Sequence, residues 1–433
     1  YRHMKNICFY FQIHQPIRLK KYGFFEIGRD HYYYDDYHTE EQIRILSEQS
    51  FLPTNKVIGD MIRSSNGKFK CAFSISGVAL EQFELYAPEV IDSFRELAKT
   101  GSVEFLAETY AHSLSSVYDT DEFELQIKMH ADKIESLFGK RPTVFRNAEL
   151  IYSDEIGEKI FNAGFKTVLI EEAKHVMGWK SPNYIYTHAY LNRLKLLVRN
   201  SKLSEDIFLR FSNYSWEDYP LTAEKFIGWI AAAPEKERIF NIWMGYEAFG
   251  YQHRPESGIY DFLKAIPYHA MEQQIGFALP SELVKQKEVA GSLTAPYTTS
   301  WWGHEKDLAP WTGNDLQNEA LSKLYEVGVR VRLSKDRPLL HDWLLLQTND
   351  YFRYMSHKEA FGSNYESPYE AFVNYMNILA DFLDRVKSQY PTSIEDEELN
   401  ALLQTITQQE KEIAAREQEL NKLKNKLSKI SGK

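Results

Sequence analysis

The chain has 433 residues, 43% hydrophobic and 26% charged, with a formal net charge of -10. That length allows two or three domains around a large core, and the composition is that of an ordinary soluble globular chain. The acidic balance and the lack of any long basic run argue against nucleic acid or an anionic membrane surface as partner.

Aromatics reach 14%, with 28 Tyr, 26 Phe and 8 Trp. Aromatic faces stack on sugar rings, but core filling accounts for most of them. No segment approaches about 18 consecutive apolar residues, so no membrane-spanning helix is expected. The chain enters a strand almost at once, without a charged-then-apolar leader. Cys8 and Cys71 both sit inside apolar runs. Two such thiols are no disulfide framework, and a cytoplasmic location is expected.

In chain order, residues 7–13 form a near-continuous apolar run, as in a strand buried on both faces, and His14-Gln15-Pro16 ends it. Residues 17–39 read as an aromatic and acidic loop, and 39–63 as helical. Strands follow at 69–75 and 103–107, with a helix at 88–99 between them. A helix is expected over 121–138, a strand over 144–147 and a helix over 154–163. Further strands are expected at 167–170, 194–199 and 239–244. This alternation predicts a parallel sheet with helices outside, and its seven units predict a closed or nearly closed barrel. After about residue 280 the periodicity is helical, over 316–341 and 368–386. Leu399, Ile406, Ile413, Leu420 and Leu427 then recur every seven residues. Leu402, Gln409, Arg416, Leu423 and Ile430 take the second seam position. That pattern predicts a coiled coil, with self-association as one outcome and a lone helix, or one folded back on its own body, as the others.

The expected architecture is α/β: an incomplete (β/α)7 TIM-like barrel over 1–285, a helical domain over 286–390 that closes the cleft, and a coiled-coil tail over 391–433. No phosphate-binding glycine loop, C-x-x-C or H-E-x-x-H motif is present, so no cofactor and no metal are expected. Carboxylates remain at strand ends. Glu104 lies in the third strand, with Glu108 and His112 just beyond. Glu149 ends the fourth and Glu247 a late one, and His14 ends the first. A barrel gathers such ends at one mouth. Paired carboxylates there suit glycosidic chemistry, which needs a nucleophile and a proton donor. Singly, each has a structural reading as a surface glutamate or a satisfied core histidine.

Five motifs in order sharpen this. They are His14-Gln15-Pro16, the run from Gly101 to His112, Phe145-Arg146-Asn147-Ala148-Glu149, the run from Trp243 to Gly250, and the stretch from Ser300-Trp301 through Asp307 to Trp311 and Asn314. Together they resemble glycoside hydrolase family 57, its α-amylase branch most closely, over about residues 5–390. The resemblance implies a retaining mechanism on α-1,4-glucans. It implies Glu149 as nucleophile, cleft-lining roles for His14, Glu104, His112, Glu247 and Asp307, and aromatic walls from Trp301 and Trp311. The sequence departs from the family at one position. The family's fourth motif has Asp-Tyr-Glu, its Asp being the general acid/base; here Gly245-Tyr246-Glu247 stands. Trp302-Gly303-His304 also departs in the fifth motif. Three readings stay open: an α-glucan-binding protein without turnover, an enzyme whose proton comes from another group such as Glu247 or His304, or an active parent carrying an engineered glycine.

Overall fold

The computed structural model describes residues 4–285, 288–389 and 397–431. Nine strands are present among them: β1 (Asn6–Ile13), β2 (Cys71–Ile75), β3 (Val103–Phe105), β4 (Thr167–Ile170), β5 (Ile185–His188), β6 (Lys195–Val198), β7 (Ile239–Gly245), β8 (Gly276–Phe277) and β9 (Ser292–Leu293). The order β3-β2-β1-β7 is parallel throughout. β4 pairs in parallel with β6. Single parallel bridges join the two sets: Ala107 to Phe145, Phe145 to Val168, and Arg199 to Asn241. Seven parallel segments, one of them residues 144–146, therefore close into a ring. This is the TIM-like barrel anticipated from the alternating pattern.

Alternation along each strand sorts the side chains. Ile7, Phe9, Phe11 and Ile13 face outward into the helix layer with Phe73, Phe94 and Ile242. Cys8, Tyr10, Leu106, Val144, Leu169, Leu197 and Trp243 fill the barrel interior. Burying each large apolar side chain contributes roughly 1.5–3 kcal/mol. Toward the C-terminal ends of the strands the interior turns polar, with Ser74, Glu108, Arg146, Glu171 and Arg199. β1 sets Gln12 level with Ser74 on one side and Gly245 on the other.

The helices Asp315–Glu326, Gly328–Leu333, Arg337–Leu346, Asp350–Arg353 and Pro368–Gln389 form the helical region. One core holds Phe123, Phe145 and Ile151 from the barrel together with Leu321, Trp343, Phe352 and Ile378 from these helices. The aromatic loop after β1 is pinned to the same helices. Tyr33 and Tyr34 donate from their hydroxyls to Asp381 and Asp342, both at 2.6 Å. The expected boundary at 285–286 falls at the edge of the described residues, and the one at 390–391 lies outside them. Missing from the sequence reading were the helix Gly77–Tyr86 and the antiparallel pairing of β5 with β6. The tail is one helix, Glu397–Ser431. No helix among the described residues is long and apolar enough to cross a membrane.

Candidate active site

The polar end of the barrel carries a chain of charged groups centred on Glu149. Residues 144–146 continue into a tight turn, Ala148–Leu150, that leaves Glu149 at φ 56° and Leu150 at φ 55°. His112 is also left-handed, at φ 53°. Such backbone costs about 1–2 kcal/mol per residue for L-amino acids. Here it aims the two side chains at each other, as strained residues at functional sites often do. His112 donates from Nε2 to Glu149 Oε1 at 2.9 Å and from Nδ1 to Glu108 Oε1 at 2.7 Å. Both ring nitrogens are thus donors, which requires an imidazolium.

The electrostatics agree. Burial pulls the His112 pKa down, but Glu108 and Glu149 outweigh it and raise it to about 9. Burial would raise the Glu149 carboxyl. The His112 hydrogen bond and charge, with the Trp301 indole, instead hold it at about 2. Glu149 is therefore ionised at neutral pH. Its other oxygen, Oε2, accepts indole N–H bonds from Trp301 at 2.6 Å and Trp302 at 2.5 Å. Beneath, burial of Glu108 is outweighed by Arg146 and His112, which hold its carboxyl far below the usual range. Arg146 Nη2 donates to Glu108 Oε2 and to Ser74 Oγ, both at 2.5 Å.

The second wall comes from the helical region. His14 stacks on His112 with ring centroids 4.0 Å apart. Its Nε2 lies 2.8 Å from Asp350 Oδ1 and its Nδ1 2.8 Å from Ser76 Oγ. Burial, then the His112 charge, lower its pKa. A neutral ring donating to Asp350 and accepting from Ser76 fits both contacts. Asn349 donates to the His112 carbonyl at 2.7 Å, which fastens the helical region to the strained turn. The Arg353 guanidinium lies 4.6 Å from the Trp302 ring centroid.

Glu247 faces the same mouth. Tyr246 points outward, buried beside Phe11 and Phe51, with its hydroxyl donating to Asn55 at 2.7 Å. Gly245 ends β7 on the same inward face as Trp243, and the 3-10 turn Tyr246–Ala248 that follows brings Glu247 back over it. The Glu247 carboxyl lies over the Gly245 Cα. A Cβ at 245 would sit 2.6 Å from Glu247 Cδ and closer still to its oxygens. Burial, and then the charge of Glu149, raise the Glu247 pKa to about 7.

Three expected site residues stand elsewhere. Glu104 accepts from the Ser281 backbone N–H at 3.1 Å. It lies four residues before Glu108 on one extended segment, about 13 Å lower in the barrel. Trp311 is fully buried and donates to Asn349 Oδ1 at 3.1 Å, so it braces the wall from behind instead of facing the cleft. Asp307 turns into its own loop, accepting from Ala309 N at 2.9 Å. His304 is exposed. The structure adds Asp350, Trp302 and Arg353 to the site. Gln12 joins them, its buried Oε1 without a protein hydrogen-bond partner. Among the described residues, no group of three or more His, Cys, Asp or Glu side chains could hold a metal ion.

The buried Glu108–Arg146 pair yields a first prediction. Glu108→Gln would strand a buried guanidinium, and breaking such a pair costs about 3–5 kcal/mol. Urea unfolding should show that loss as a lower midpoint; an unchanged midpoint would contradict the pairing.

A parallel α/β barrel with ionised and neutral carboxyls among indoles at its C-terminal mouth has the form of a carbohydrate-processing barrel enzyme. The family model "Glycosyl hydrolase family 57" matches residues 8–296, and the chain belongs to that family. It is 36% identical over 400 residues to a Methanocaldococcus jannaschii protein named "Putative alpha-amylase", covering 87% of this chain and 84% of that one. The fold resembles that of a family 57 branching enzyme from Thermococcus kodakaraensis, with a TM-score of 0.68 at 13% identity over 93% of this chain and 94% of that one. It also resembles the alpha-amylase AmyC of Thermotoga maritima, with a TM-score of 0.61 at 13% identity over 92% and 96%.

Proposed function

We propose that this protein acts on α-1,4-glucans by a retaining mechanism, with Glu149 as nucleophile and Glu247 as proton donor. The observation that carries the reading is geometric: Glu149 is held by His112, Trp301 and Trp302, and the Glu247 carboxyl stands at the same mouth over Gly245. The electrostatics agree, holding Glu149 at about 2 and raising Glu247 to about 7. Two carboxyls pushed apart in this way divide into an ionised nucleophile and a neutral acid. Family membership and the activities of its relatives supply the substrate class.

In the first step Glu149 attacks the anomeric carbon and the glycosidic C–O bond breaks. The Glu247 proton goes to the departing oxygen. In the second, water or an acceptor sugar hydroxyl gives its proton to Glu247 and displaces Glu149, restoring the starting configuration. His112 holds Glu149 in place through Oε1, and the two indoles offset its charge through Oε2. The helical region contributes Asp350 and Arg353 to the mouth. Two free cysteines buried in separate strands, Cys8 and Cys71, fit a cytoplasmic location.

The test is hydrolysis of maltoheptaose followed by proton NMR of the nascent anomer across pH. An α-anomer first is expected. The sign of the pH dependence follows from the two groups. Glu247 donates only while protonated, so kcat/KM should fall tenfold per pH unit above about 7. Glu149 stays ionised down to about pH 2, so no matching acid limb is expected near pH 4 to 5. A β-anomer first would overturn the retaining mechanism. Tight maltooligosaccharide binding without turnover would instead favour the glucan-binding reading that Gly245 invites.

A further inference from the structure

The C-terminal helix has a face that the other described residues do not cover. Its first turns rest on Gly328–Leu333, with Leu403 buried and Lys411 paired to Asp121. From Gln408 to Ile430 every side chain is exposed. That is a projecting rod of about 35 Å at 1.5 Å per residue. Along one seam stand Ile413, Leu420, Leu423 and Ile430, each more than half exposed. Most helical stability in proteins comes from packing an apolar face rather than from propensity. An apolar stripe on it gains from a covering helix.

The flanking charges say which helix. With Ile413 and Leu420 at the first seam position and Leu423 and Ile430 at the second, the flanks are Glu410, Glu417 and Lys424 on one side and Glu412, Glu419 and Lys426 on the other. The flanks are acidic in the first half and basic in the second. In a parallel pair each flank residue meets the opposite flank five positions on. Glu412 then faces Glu417 of the second copy and Glu419 faces Lys424, each twice over, so repulsion offsets attraction. In an antiparallel pair like flanks meet. Leu420 packs opposite Leu423 of the second copy and Ile413 opposite Ile430. Glu417 then faces Lys424, and Glu419 faces Lys426, again twice over, with no like-charge pair among these four residues.

We infer that the projecting tail pairs antiparallel with the same segment of a second copy of this chain, centred between Leu420 and Leu423. The arrangement places the two barrels at opposite ends of the coil. Arg416 interrupts the seam opposite Leu427 of the second copy, which keeps the contact modest.

Sedimentation of the full chain across micromolar concentrations tests this. A reversible monomer–dimer equilibrium is expected, and a monomer throughout would overturn the inference. Leu420→Glu with Leu423→Glu should leave only monomer with the same thermal midpoint, because both positions are exposed. A dimer that survives that change would place the interface elsewhere and overturn the inference. Glu417→Lys decides direction. In the antiparallel pair it sets the introduced ammonium against Lys424 of the second copy, and the two symmetric contacts, each turned from attraction to repulsion, should together weaken the dimer about tenfold. In a parallel pair the same change relieves repulsion from Glu412, so a tighter dimer would overturn the antiparallel arrangement.

Discussion

Glu149→Ala is expected to lower kcat on maltooligosaccharides by about 10⁴–10⁶-fold, the scale seen when an enzyme loses its nucleophile. Glu149 takes three hydrogen bonds, from His112, Trp301 and Trp302, and burial leaves it little freedom. No other described carboxylate holds that position, since Asp350 is engaged by His14 and Arg353. Binding of maltooligosaccharide should change far less than turnover, because the sugar-facing indoles remain. Azide offers a sharper readout than activity alone. In the alanine variant it would enter from the face that Glu149 has vacated and give the β-glycosyl azide from an activated α-glycoside. A variant that keeps more than a hundredth of the parent rate would remove Glu149 from the nucleophile role.

Much of the site's frame was legible in the sequence, for a physical reason. Strands buried on both faces must be apolar almost throughout, so each of the seven ring segments stood out as a run. A polar residue at the end of such a run, as at Glu149 or His112, is conspicuous. Glu104 was misplaced because period-two alternation puts Glu104 and Glu108 on the same inner face. The pattern gives the face of a strand but not the height in the barrel. The resemblance put Trp311 on an aromatic wall, whereas the structure buries it behind that wall against Asn349; an indole beside a loop motif can serve a cleft or a core equally well. Asp350 and Arg353 could not be read at all. Their short helix follows a long apolar one, and only the packing of the helical region onto the barrel brings them to His14 and Trp302. The Glu247 carboxyl over Gly245 was half legible. Two-residue spacing puts both on one side, but only the buried anchor of Tyr246 shows that the turn keeps them there.

That placement leads to the second large effect. Glu247→Gln should lower kcat/KM by about 10²–10⁴-fold on maltooligosaccharides, the typical contribution of a positioned general acid. The loss should depend on the leaving group. An aryl α-maltoside with an acidic phenol needs no proton, so its first step should run at near the parent rate, with a burst of phenol followed by slow deglycosylation. Azide should then accelerate turnover and give the α-glycosyl azide, the opposite anomer to that expected from Glu149→Ala. The pH limb near 7 should vanish with the carboxyl. Gly245→Ala supplies the complementary perturbation. Its backbone, at φ -66° and ψ 136°, accepts any residue. The new methyl would occupy the place of the Glu247 carboxyl, which must swing away. The alanine variant should therefore fold normally yet lose activity as Glu247→Gln does. Gly245→Asp displaces Glu247 but brings its own carboxyl to the same place, so it should retain or raise activity. If Gly245→Ala were fully active, or Glu247→Gln slowed activated and natural substrates equally, the proton would have to come from another group.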